Sequence, residues 1–242
     1  MRPNGRGPAE LRPLILERGF TSNAAGSVLV RSGKTWVLCT CCVEPSVPEF
    51  LEGTGKGWLT AEYSMLPGST GKRKPRDKAG KVDGRSVEIQ RLIGRSLRAV
   101  VDLEKLGERT LWIDCDVLEA DGGTRTASIN GAFVALIDAL TAYKHEIGPP
   151  RSVLRASVAA VSVGLLNDIE LLDLDYREDK DAEVDMNLVM TGAGEFVEVQ
   201  GTGEEATFSR TQLDRLLKLG KVGIDAITAT QRRALGATWP LD

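Results

Sequence analysis

The chain has 242 residues, which corresponds to one large domain or two small ones and is long enough to bury a full hydrophobic core. Hydrophobic residues make up 42% of the chain and charged residues 27%, and these values exclude a disordered chain, a collagen-like chain and a disulfide-dense mini-protein. The formal net charge of −3 argues neither for nor against a nucleic-acid partner, so the distribution of the charges has to decide.

Strand-like apolar runs with turn residues between them occupy the beginning of the chain. They predict strands over residues 27–30, 35–43 and 57–63. Residues 66–84 are rich in Gly, Pro and Lys and predict a long exposed loop, a feature that is usually functional or disordered. Ser86 is a plausible N-cap for the helix that follows, because the apolar residues from Ile89 to Val101 fall on one helical face.

An alternating strand over residues 111–118 leads through a Gly-rich loop into a second helix, predicted over residues 128–143. The second half of the chain repeats the order of strands followed by helices. Its strands are predicted over residues 152–166, 170–174, 183–191 and 195–200, and its helices over residues 211–219 and 224–235. The repetition predicts an α+β fold of two similar halves around a shared core. Because no Pro- or Ser-rich linker separates the halves, residues 1–242 are predicted to form a single domain.

Neither a membrane segment nor a signal sequence is visible in the chain. No stretch approaches the roughly 20 consecutive apolar residues of a membrane helix, and the first residues lead into no apolar signal region. The four cysteines are Cys39, Cys41, Cys42 and Cys115. Three of them crowd into one apolar strand, where neighbours cannot easily bridge each other, so we expect free thiols in a cytoplasmic protein with no membrane partner.

The single histidine, His145, limits the available chemistry. A Ser-His-Asp or Cys-His mechanism would have to use it, whereas a histidine at the end of a helix more often interacts with the terminal carbonyl groups. We therefore expect any chemistry to depend on carboxylates, arginines and backbone amides.

Charge is concentrated in two clusters of opposite sign. Residues 72–98 contain ten Lys and Arg against three Asp and Glu, a local net charge of +7. Residues 168–185 contain nine acidic residues against two basic ones, a local net charge of −7. A basic surface is typical of polyanion binding and dense carboxylates suit divalent cations, although either cluster alone can be an ordinary solvated face. Together they favour phosphodiester chemistry, in which a polyanion is held near a metal.

The loop at residues 121–126 joins the alternating strand to the second helix and has the composition of a phosphate site. Its glycines let a ligand approach the backbone, the helix N-terminus supplies N–H groups, and Arg125 supplies a bidentate guanidinium. Arg85 opens the preceding helix and is a candidate for the same anion. The alternatives are an ordinary capped turn at the loop and a surface arginine at position 85.

Two carboxylates, Asp179 and Asp185, flank a turn into a strand and are candidates for binding one metal ion. Asp175 and Asp181 compete with them on sequence alone. The alternative interpretation is a charged hairpin tip without a ligand.

Ordered sequence blocks along nearly the whole chain resemble the ribonuclease PH family, phosphate-dependent 3′-to-5′ exoribonucleases related to polynucleotide phosphorylase and exosome ring subunits. The blocks of the first part are Asn4–Arg6, Glu10–Pro13, Gly26–Val30, Val37–Thr40, Gly57–Tyr63 and Gly84–Arg98. The later blocks are Asp114–Leu118, Asp121–Gly131, Glu178–Asp179, Val184–Asn187 and Glu198–Thr202. The chain departs from the family at Gly68, where the family often has Arg, so that Lys72 or Lys74 would have to supply the missing cation.

The resemblance implies roles for most of the candidate residues. The implied phosphate ligands are Arg85, Gly123, Thr124, Arg125 and Thr126. The implied RNA contacts, all in the basic loop, are Lys72, Arg73, Lys74 and Arg76. Asp179 and Asp185 match the family's paired catalytic or metal-binding carboxylates, which would hold Mg²⁺ or Mn²⁺. Asp185 could instead protonate the leaving 3′-oxygen.

The activity implied by the resemblance is removal of 3′-terminal nucleotides from RNA as nucleoside 5′-diphosphates, with inorganic phosphate as co-substrate. Transfer-RNA precursors are the implied RNA, ribosomal RNA is a further one, and the reverse addition of nucleotides is also implied. Phosphate is already deprotonated at neutral pH, so the reaction needs no histidine base. The alternatives are a catalytically inactive, RNA-binding ring subunit of an exosome-like assembly and a hydrolytic nuclease that releases monophosphates.

The fold implied by the resemblance has two related βαβ-containing halves whose mixed sheets pack against helices. The implied assembly is a homo-hexameric ring, built as a trimer of dimers.

Overall fold

The computed structural model describes residue 2 and residues 4–76, 83–204 and 206–241. Its strands are β1 (Leu14–Arg18), β2 (Gly26–Ser32), β3 (Thr35–Glu44), β4 (Trp58–Met65), β5 (Thr110–Glu119), β6 (Val158–Leu166), β7 (Ile169–Leu172), β8 (Val184–Thr191) and β9 (Phe196–Gly203). Its helices are α1 (Gly84–Arg98), α2 (Leu103–Leu106), α3 (Thr124–Ala142), α4 (Lys144–Ile147), α5 (Pro150–Val153), α6 (Tyr176–Asp181) and α7 (Arg210–Leu235). Single 3₁₀ turns occur at Glu49–Leu51 and Gly236–Thr238.

The first half is a five-stranded mixed sheet in the order β1-β2-β3-β5-β4. Among the described strands of this sheet only β4 and β5 pair in parallel, and α1 lies in the crossover that connects them in a βαβ unit. On β5 the apolar side chains of Leu111, Ile113 and Cys115 are buried, while Asp114 and Asp116 face the opposite side, as the alternation predicts.

The second half is a four-stranded sheet in the order β7-β6-β8-β9, in which every neighbouring pair is antiparallel. Strands β7 and β8 both pair with β6 and therefore run parallel to each other, and α6 connects them. This arrangement is a βαβ unit with one strand inserted between its two strands. The predicted α+β fold with a βαβ-containing unit in each half is confirmed.

Helix α3 lies between the two sheets and is buried on all sides. It contacts β2 and β3 on one side and β6 on the other. The backbones approach so closely that a Cβ atom on Gly26 would overlap the carbonyl oxygen of Ala135. On the other side the Asn130 side chain donates to the Ala160 carbonyl at 2.9 Å and accepts from its N–H at 2.8 Å. Helix α3 is therefore the shared core that joins the halves.

A cluster of buried ion pairs, which we call the arginine network, ties the N-terminal segment to the second half. Arg2 donates two hydrogen bonds to the Glu178 carboxylate, at 2.7 and 2.6 Å. The Arg12 guanidinium donates two hydrogen bonds to the Asp173 carboxylate, at 3.0 and 2.6 Å, and one to the Asp121 carbonyl at 2.6 Å. The arginine network thus connects the loop before α3 with the segment that leads into α6.

The structure corrects two predicted helix starts. The N-cap of α1 is Asp83 rather than Ser86, because the Asp83 carboxylate accepts a hydrogen bond from the Ser86 N–H at 2.7 Å. Helix α3 begins at Thr124 rather than at residue 128, since Gly123 at φ +64° supplies the turn that starts it.

The second half differs from the prediction at both ends. The stretch predicted as one strand over residues 152–166 includes the last two residues of α5, and β6 begins only at Val158. The two predicted C-terminal helices are the single helix α7, in which Gly220 and Gly223 pack closely against the side chains of Leu188 and Leu172. Glycine serves close packing there and does not end the helix. The short strand β1 was not predicted.

The described parts of the chain bear on the expectations about thiols and membranes. All four cysteines are free thiols, and three of them are buried. Within residue 2 and residues 4–76, 83–204 and 206–241, no helix combines the length and the apolar composition needed to cross a bilayer.

Removing one partner from the arginine network should strongly destabilise the fold. In Asp173→Asn the buried Arg12 guanidinium loses its carboxylate, and we expect the free energy of unfolding to fall by about 3–5 kcal/mol. Asn tolerates the φ of +55° at this position, so backbone strain adds little. Urea unfolding followed by circular dichroism measures the change.

The matched control is Glu17→Gln, which removes a carboxylate from the solvent-exposed pair with Arg31 and should cost less than about 1 kcal/mol. Equal losses in the two variants would contradict a special role for the arginine network.

Candidate functional site

A cavity of ≈ 680 Å³, which we call the carboxylate cavity, lies where the two halves meet. It is lined by Arg85, Glu88, Arg125, Asp179, Lys180, Asp181, Ala182, Glu183, Asp185, Asn187, Gln200, Thr202 and Glu204. The structure therefore brings together both predicted arginines and both predicted carboxylates, although they are up to a hundred positions apart in the sequence.

Four different elements position these side chains. Arg85 is the second residue of α1 and Arg125 is the second residue of α3. Both side chains therefore leave the backbone at a helix N-terminus, where the first N–H groups have no partner within the helix. Asp179 lies on α6 and Asp185 on β8. The first half thus supplies the cations and the second half the carboxylates.

Arg125 is held in place by two side chains of the cavity wall. Its Nη1 donates to Gln200 Oε1 at 2.6 Å and to Glu88 Oε1 at 3.3 Å. Gln200 Nε2 donates to the same Glu88 oxygen at 3.0 Å, which closes a triangle of hydrogen bonds. Because Nη1 makes both hydrogen bonds of the guanidinium to the described residues, Nε and Nη2 remain for a ligand.

The two carboxylates have raised pKa values. Burial raises the pKa of Asp179, and the nearby charges of Arg85 and Arg125 oppose this effect. Burial and the negative charge of Asp179 raise the pKa of Asp185 to about 6. Asp185 Oδ1 is buried and has no hydrogen-bond partner in the described part of the protein. Two like charges and an unpaired oxygen at one point favour a cation or a proton between them.

The charge balance of the cavity also fits a divalent cation. Six carboxylates line it against only three cationic side chains, which would repel a polyanion unless a cation compensates. Among the described residues there is no cluster of three His, Cys, Asp or Glu side chains that could bind a metal by themselves. Asp179 and Asp185 as a pair suit Mg²⁺, which usually keeps several waters and binds through one or two carboxylates plus phosphate oxygens of a substrate.

A second cavity, of ≈ 710 Å³, adjoins the first and shares Arg85 and Asp179 with it. We call it the basic-loop cavity, since Lys72, Arg73 and Lys74 line it. Gly122, Gly123, Thr124 and Tyr176 also line it. The Thr124 hydroxyl is fixed by Tyr63, whose hydroxyl donates to it at 2.9 Å.

Several sequence candidates lie elsewhere. Arg76 is exposed and lines neither cavity. Thr126 is buried and lines a separate small cavity, and its hydroxyl donates to the Gly123 carbonyl at 2.9 Å. Asp175 is the N-cap of α6, accepting from the Arg177 and Glu178 N–H groups at 3.0 and 3.1 Å, so it does not compete with Asp179 for a metal. The competing Asp181 is an exposed residue of the cavity rim.

Sequence reasoning missed the residues that hold the charged groups in place. Glu88 and Gln200 fix Arg125, Tyr63 fixes Thr124, and Arg12 fixes the loop before α3. All four residues belong to sequence blocks that carry the family resemblance, which is the one signal that marks them in the sequence. Nothing in those blocks alone shows which side chain each of them holds in place.

The family models and the curated relatives that match this chain agree on one protein family. The family model described as "3′ exoribonuclease family, domain 1" matches residues 10–141. The model described as "3′ exoribonuclease family, domain 2" matches residues 156–223. A ribonuclease PH of Rhodopirellula baltica is 59% identical over 231 residues, which cover 93% of this chain and 94% of the relative. A ribonuclease PH of Bacillus velezensis is 56% identical over 242 residues, with 99% of each chain covered.

Solved structures agree in fold at lower identity. The superposition on rice Rrp46 covers 97% of this chain and 100% of the Rrp46 chain, with a TM-score of 0.79 and a sequence identity of 21%. The Archaeoglobus fulgidus exosome with RNA bound to the active site matches 96% of this chain and 91% of its own with a TM-score of 0.78 at 22% identity. The two family domains correspond to the two halves of the fold, while the single-domain organisation stays a prediction.

The raised pKa of Asp185 predicts how its ionisation affects the metal-free protein. The pKa of Asp185 in the folded state lies above the ordinary value of 3.8, so the folded protein binds this proton more tightly than the unfolded chain does. The protonated carboxyl therefore makes its full contribution to the free energy of unfolding below pH 3.8, and that contribution is lost as the pH rises through about 6. We expect Asp185→Asn to raise the free energy of unfolding by about 3 kcal/mol at about pH 7.5 and to change it by less than about 1 kcal/mol at about pH 4. Urea unfolding in buffer with a chelator measures both values, and an unchanged or lower stability at the higher pH would contradict the expectation.

Proposed function

Because the chain belongs to the 3′ exoribonuclease family and is a phosphate-dependent exoribonuclease of the ribonuclease PH type, we propose that the carboxylate cavity is its active site. The observation that carries the proposal is the convergence of Arg85 and Arg125 with Asp179 and Asp185 in one cavity. In the proposed reaction, inorganic phosphate attacks the phosphorus of the 3′-terminal phosphodiester in line. A P–O bond forms to the attacking phosphate and the bond to the 3′-oxygen breaks. The 3′-oxygen takes up the proton that hydrogen phosphate loses as the diphosphate forms.

The two arginines and the loop before α3 bind the attacking phosphate. Arg125 offers the two guanidinium nitrogens that Glu88 and Gln200 leave free, and Arg85 offers its guanidinium from the start of α1. Gly123 and Thr124 supply free N–H groups at the start of α3, where the helix dipole also favours an anion. Because phosphate needs no base to make it a nucleophile, the main task of these residues is to hold it in line with the phosphodiester. Such positioning accounts for a large part of the rate enhancement of the proposed reaction.

Asp179 and Asp185 hold a divalent cation, Mg²⁺ or Mn²⁺. The unpaired buried oxygen of Asp185 and the excess of carboxylates in the cavity support this assignment. When bound, such an ion offsets the negative charge on the phosphoryl oxygens, which would otherwise repel both the nucleophile and the carboxylates. The capped helix α6 keeps Asp179 beside the cavity.

The RNA 3′ end enters along the basic-loop cavity. Lys72, Arg73 and Lys74 contact its phosphates there, and Arg76 contributes from outside the cavity as a longer-range charge. The gap left by Gly68 is thereby filled by lysines of the same loop. Transfer-RNA 3′ ends are the proposed substrate, in keeping with the family.

A homo-hexameric ring and a cytoplasmic location complete the proposal. The outer face of the first sheet supports a protein interface, because Leu38, Trp112 and Leu118 remain only half-buried there. The crowded thiols of β3 support a reducing compartment.

Substitution of a proposed metal ligand tests the reaction. We expect Asp185→Asn to lower the rate of nucleoside diphosphate release from a 3′-extended RNA by about a hundredfold or more, because the cation loses one of its two carboxylates. RNA affinity, measured by fluorescence anisotropy without phosphate, should stay within about threefold of that of the wild type. Asp168→Asn, in the same acidic cluster but outside both cavities, is the control and should keep the wild-type rate.

The released nucleotide distinguishes the competing functions. Diphosphates that appear only with added phosphate support phosphorolysis. Monophosphates would make water the nucleophile and remove the role of the arginines, and no release despite RNA binding would indicate an inactive ring subunit. Normal turnover in Asp185→Asn would overturn the assignment of the metal site.

The hydrogen-bond triangle around Arg125 predicts a specific kinetic effect. In Gln200→Met the shortest of its bonds is lost and the guanidinium can rotate, so we expect KM for phosphate to rise about tenfold with a much smaller change in kcat. The RNA affinity should not change. Gln90→Met is the control, since Gln90 is half-buried on α1 but lines neither cavity. A fall in kcat with unchanged KM would contradict a role of Gln200 in binding phosphate.

A further inference from the structure

Tyr176 lies at the junction of two cavities. It lines the basic-loop cavity, and it also lines a third cavity of ≈ 540 Å³, which we call the outer cleft. The outer cleft is lined by Asn4, Arg6, Arg12, Pro13, Gly33, Lys34, Asp121, Asp175, Tyr176 and Arg177. The carboxylate cavity therefore shares Arg85 and Asp179 with the basic-loop cavity, which in turn shares Tyr176 with the outer cleft.

The Tyr176 side chain is exposed while its backbone is firmly held. Its exposed fraction is 59%, one of the largest among the aromatic side chains. Tyr176 is the first residue of α6 and directly follows the N-cap Asp175. The backbone around it packs so tightly against Gly122 that a Cβ atom on Gly122 would overlap it. The capping box and the Arg2–Glu178 pair fix the same turn. An exposed ring on a rigid backbone loses little entropy when a ligand stacks on it.

The far side of Tyr176 carries cationic side chains that are available to an anion. Lys34 and Arg177 line the outer cleft, are exposed, and have no ion-pair partner among the described residues. Of the two acids in the lining, Asp175 is occupied as a helix cap and by Asn4, which donates to it at 3.1 Å. Cations on both sides of an exposed aromatic ring are the arrangement with which proteins bind single-stranded nucleic acid.

We propose that Tyr176 is a stacking platform for a base of the RNA strand upstream of the 3′ end, and that Lys34 and Arg177 contact the phosphates beyond it. The inference rests on the proposed function, because it takes the 3′ end to lie in the carboxylate cavity. It extends the RNA path past the basic loop into the outer cleft. Stacking is independent of sequence, so the platform recognises single-stranded RNA of any base composition.

The test compares RNAs that differ in length. Binding of a labelled RNA mononucleotide, which fills the carboxylate cavity only, and of a labelled decanucleotide is measured by fluorescence anisotropy with Mg²⁺ and without phosphate, so that the RNA stays intact. We expect Tyr176→Ala to weaken decanucleotide binding by about tenfold, the loss of one base stack, and to leave mononucleotide binding unchanged. Tyr176→Phe and Tyr176→Trp should bind both RNAs like the wild type.

Two further variants sharpen the test. Phe196→Ala removes a ring that is 50% exposed but lies outside all three cavities, and it should not change either affinity. The double variant Lys34→Ala/Arg177→Ala should weaken only decanucleotide binding and should reduce the dependence of that affinity on salt.

Several outcomes would overturn the proposal. They are wild-type affinity of Tyr176→Ala for the decanucleotide, an equal loss for both RNAs, a loss in Tyr176→Phe as large as in Tyr176→Ala, and a changed molar mass of Tyr176→Ala in solution. Nucleotide release by the wild-type protein is measured in parallel. Its absence would overturn the proposed function, whereas a length-dependent loss in Tyr176→Ala would still support the platform.

Discussion

The Arg12 guanidinium lies between the Asp173 carboxylate and the carbonyl oxygen of Asp121, with hydrogen bonds of 2.6 Å to each. Asp173 immediately precedes the segment that starts α6, and Asp121 belongs to the loop that starts α3. One buried side chain thus sets the distance between the helix that bears a carboxylate of the site and the loop that bears the phosphate ligands. A buried charge keeps its position because every alternative leaves it without partners.

The site exists only where the two halves touch. Arg85 and Arg125 start helices of the first half, whereas Asp179, Asp185 and Gln200 belong to the second. Neither half alone contains both the cations for an anionic nucleophile and the carboxylates for a metal. Helix α3 and the arginine network are therefore as important for the chemistry as the residues that face the substrate, because they fix one half against the other.

Much of this arrangement could be predicted from the sequence, and the reasons are local. The alternation in β5, the apolar face of α1 and the glycines before α3 each reflect short-range rules of strand, helix and turn formation. The long helix α7 could not be predicted, since Gly220 and Gly223 suggest a break and only packing against the second sheet explains them. Glu88, Gln200 and Tyr63 were missed for a similar reason, because their roles depend on partners distant in sequence. The family resemblance, rather than periodicity or charge, assigned the chemistry to particular residues.

The edge strand β1 has a consequence for biosynthesis. Arg18, at the end of this strand, donates to the carbonyl oxygen of Ala234 at 3.0 Å, a separation of 216 positions in the chain. The ribosome makes β1 before the other described strands, yet it makes α7, against which β1 packs, after all of them. Forming contacts between residues so far apart in the chain is slow. Until α7 has been made, the surface of β1 that packs against it stays exposed in the nascent chain. The first sheet therefore acquires its final neighbours only when translation of α7 is complete.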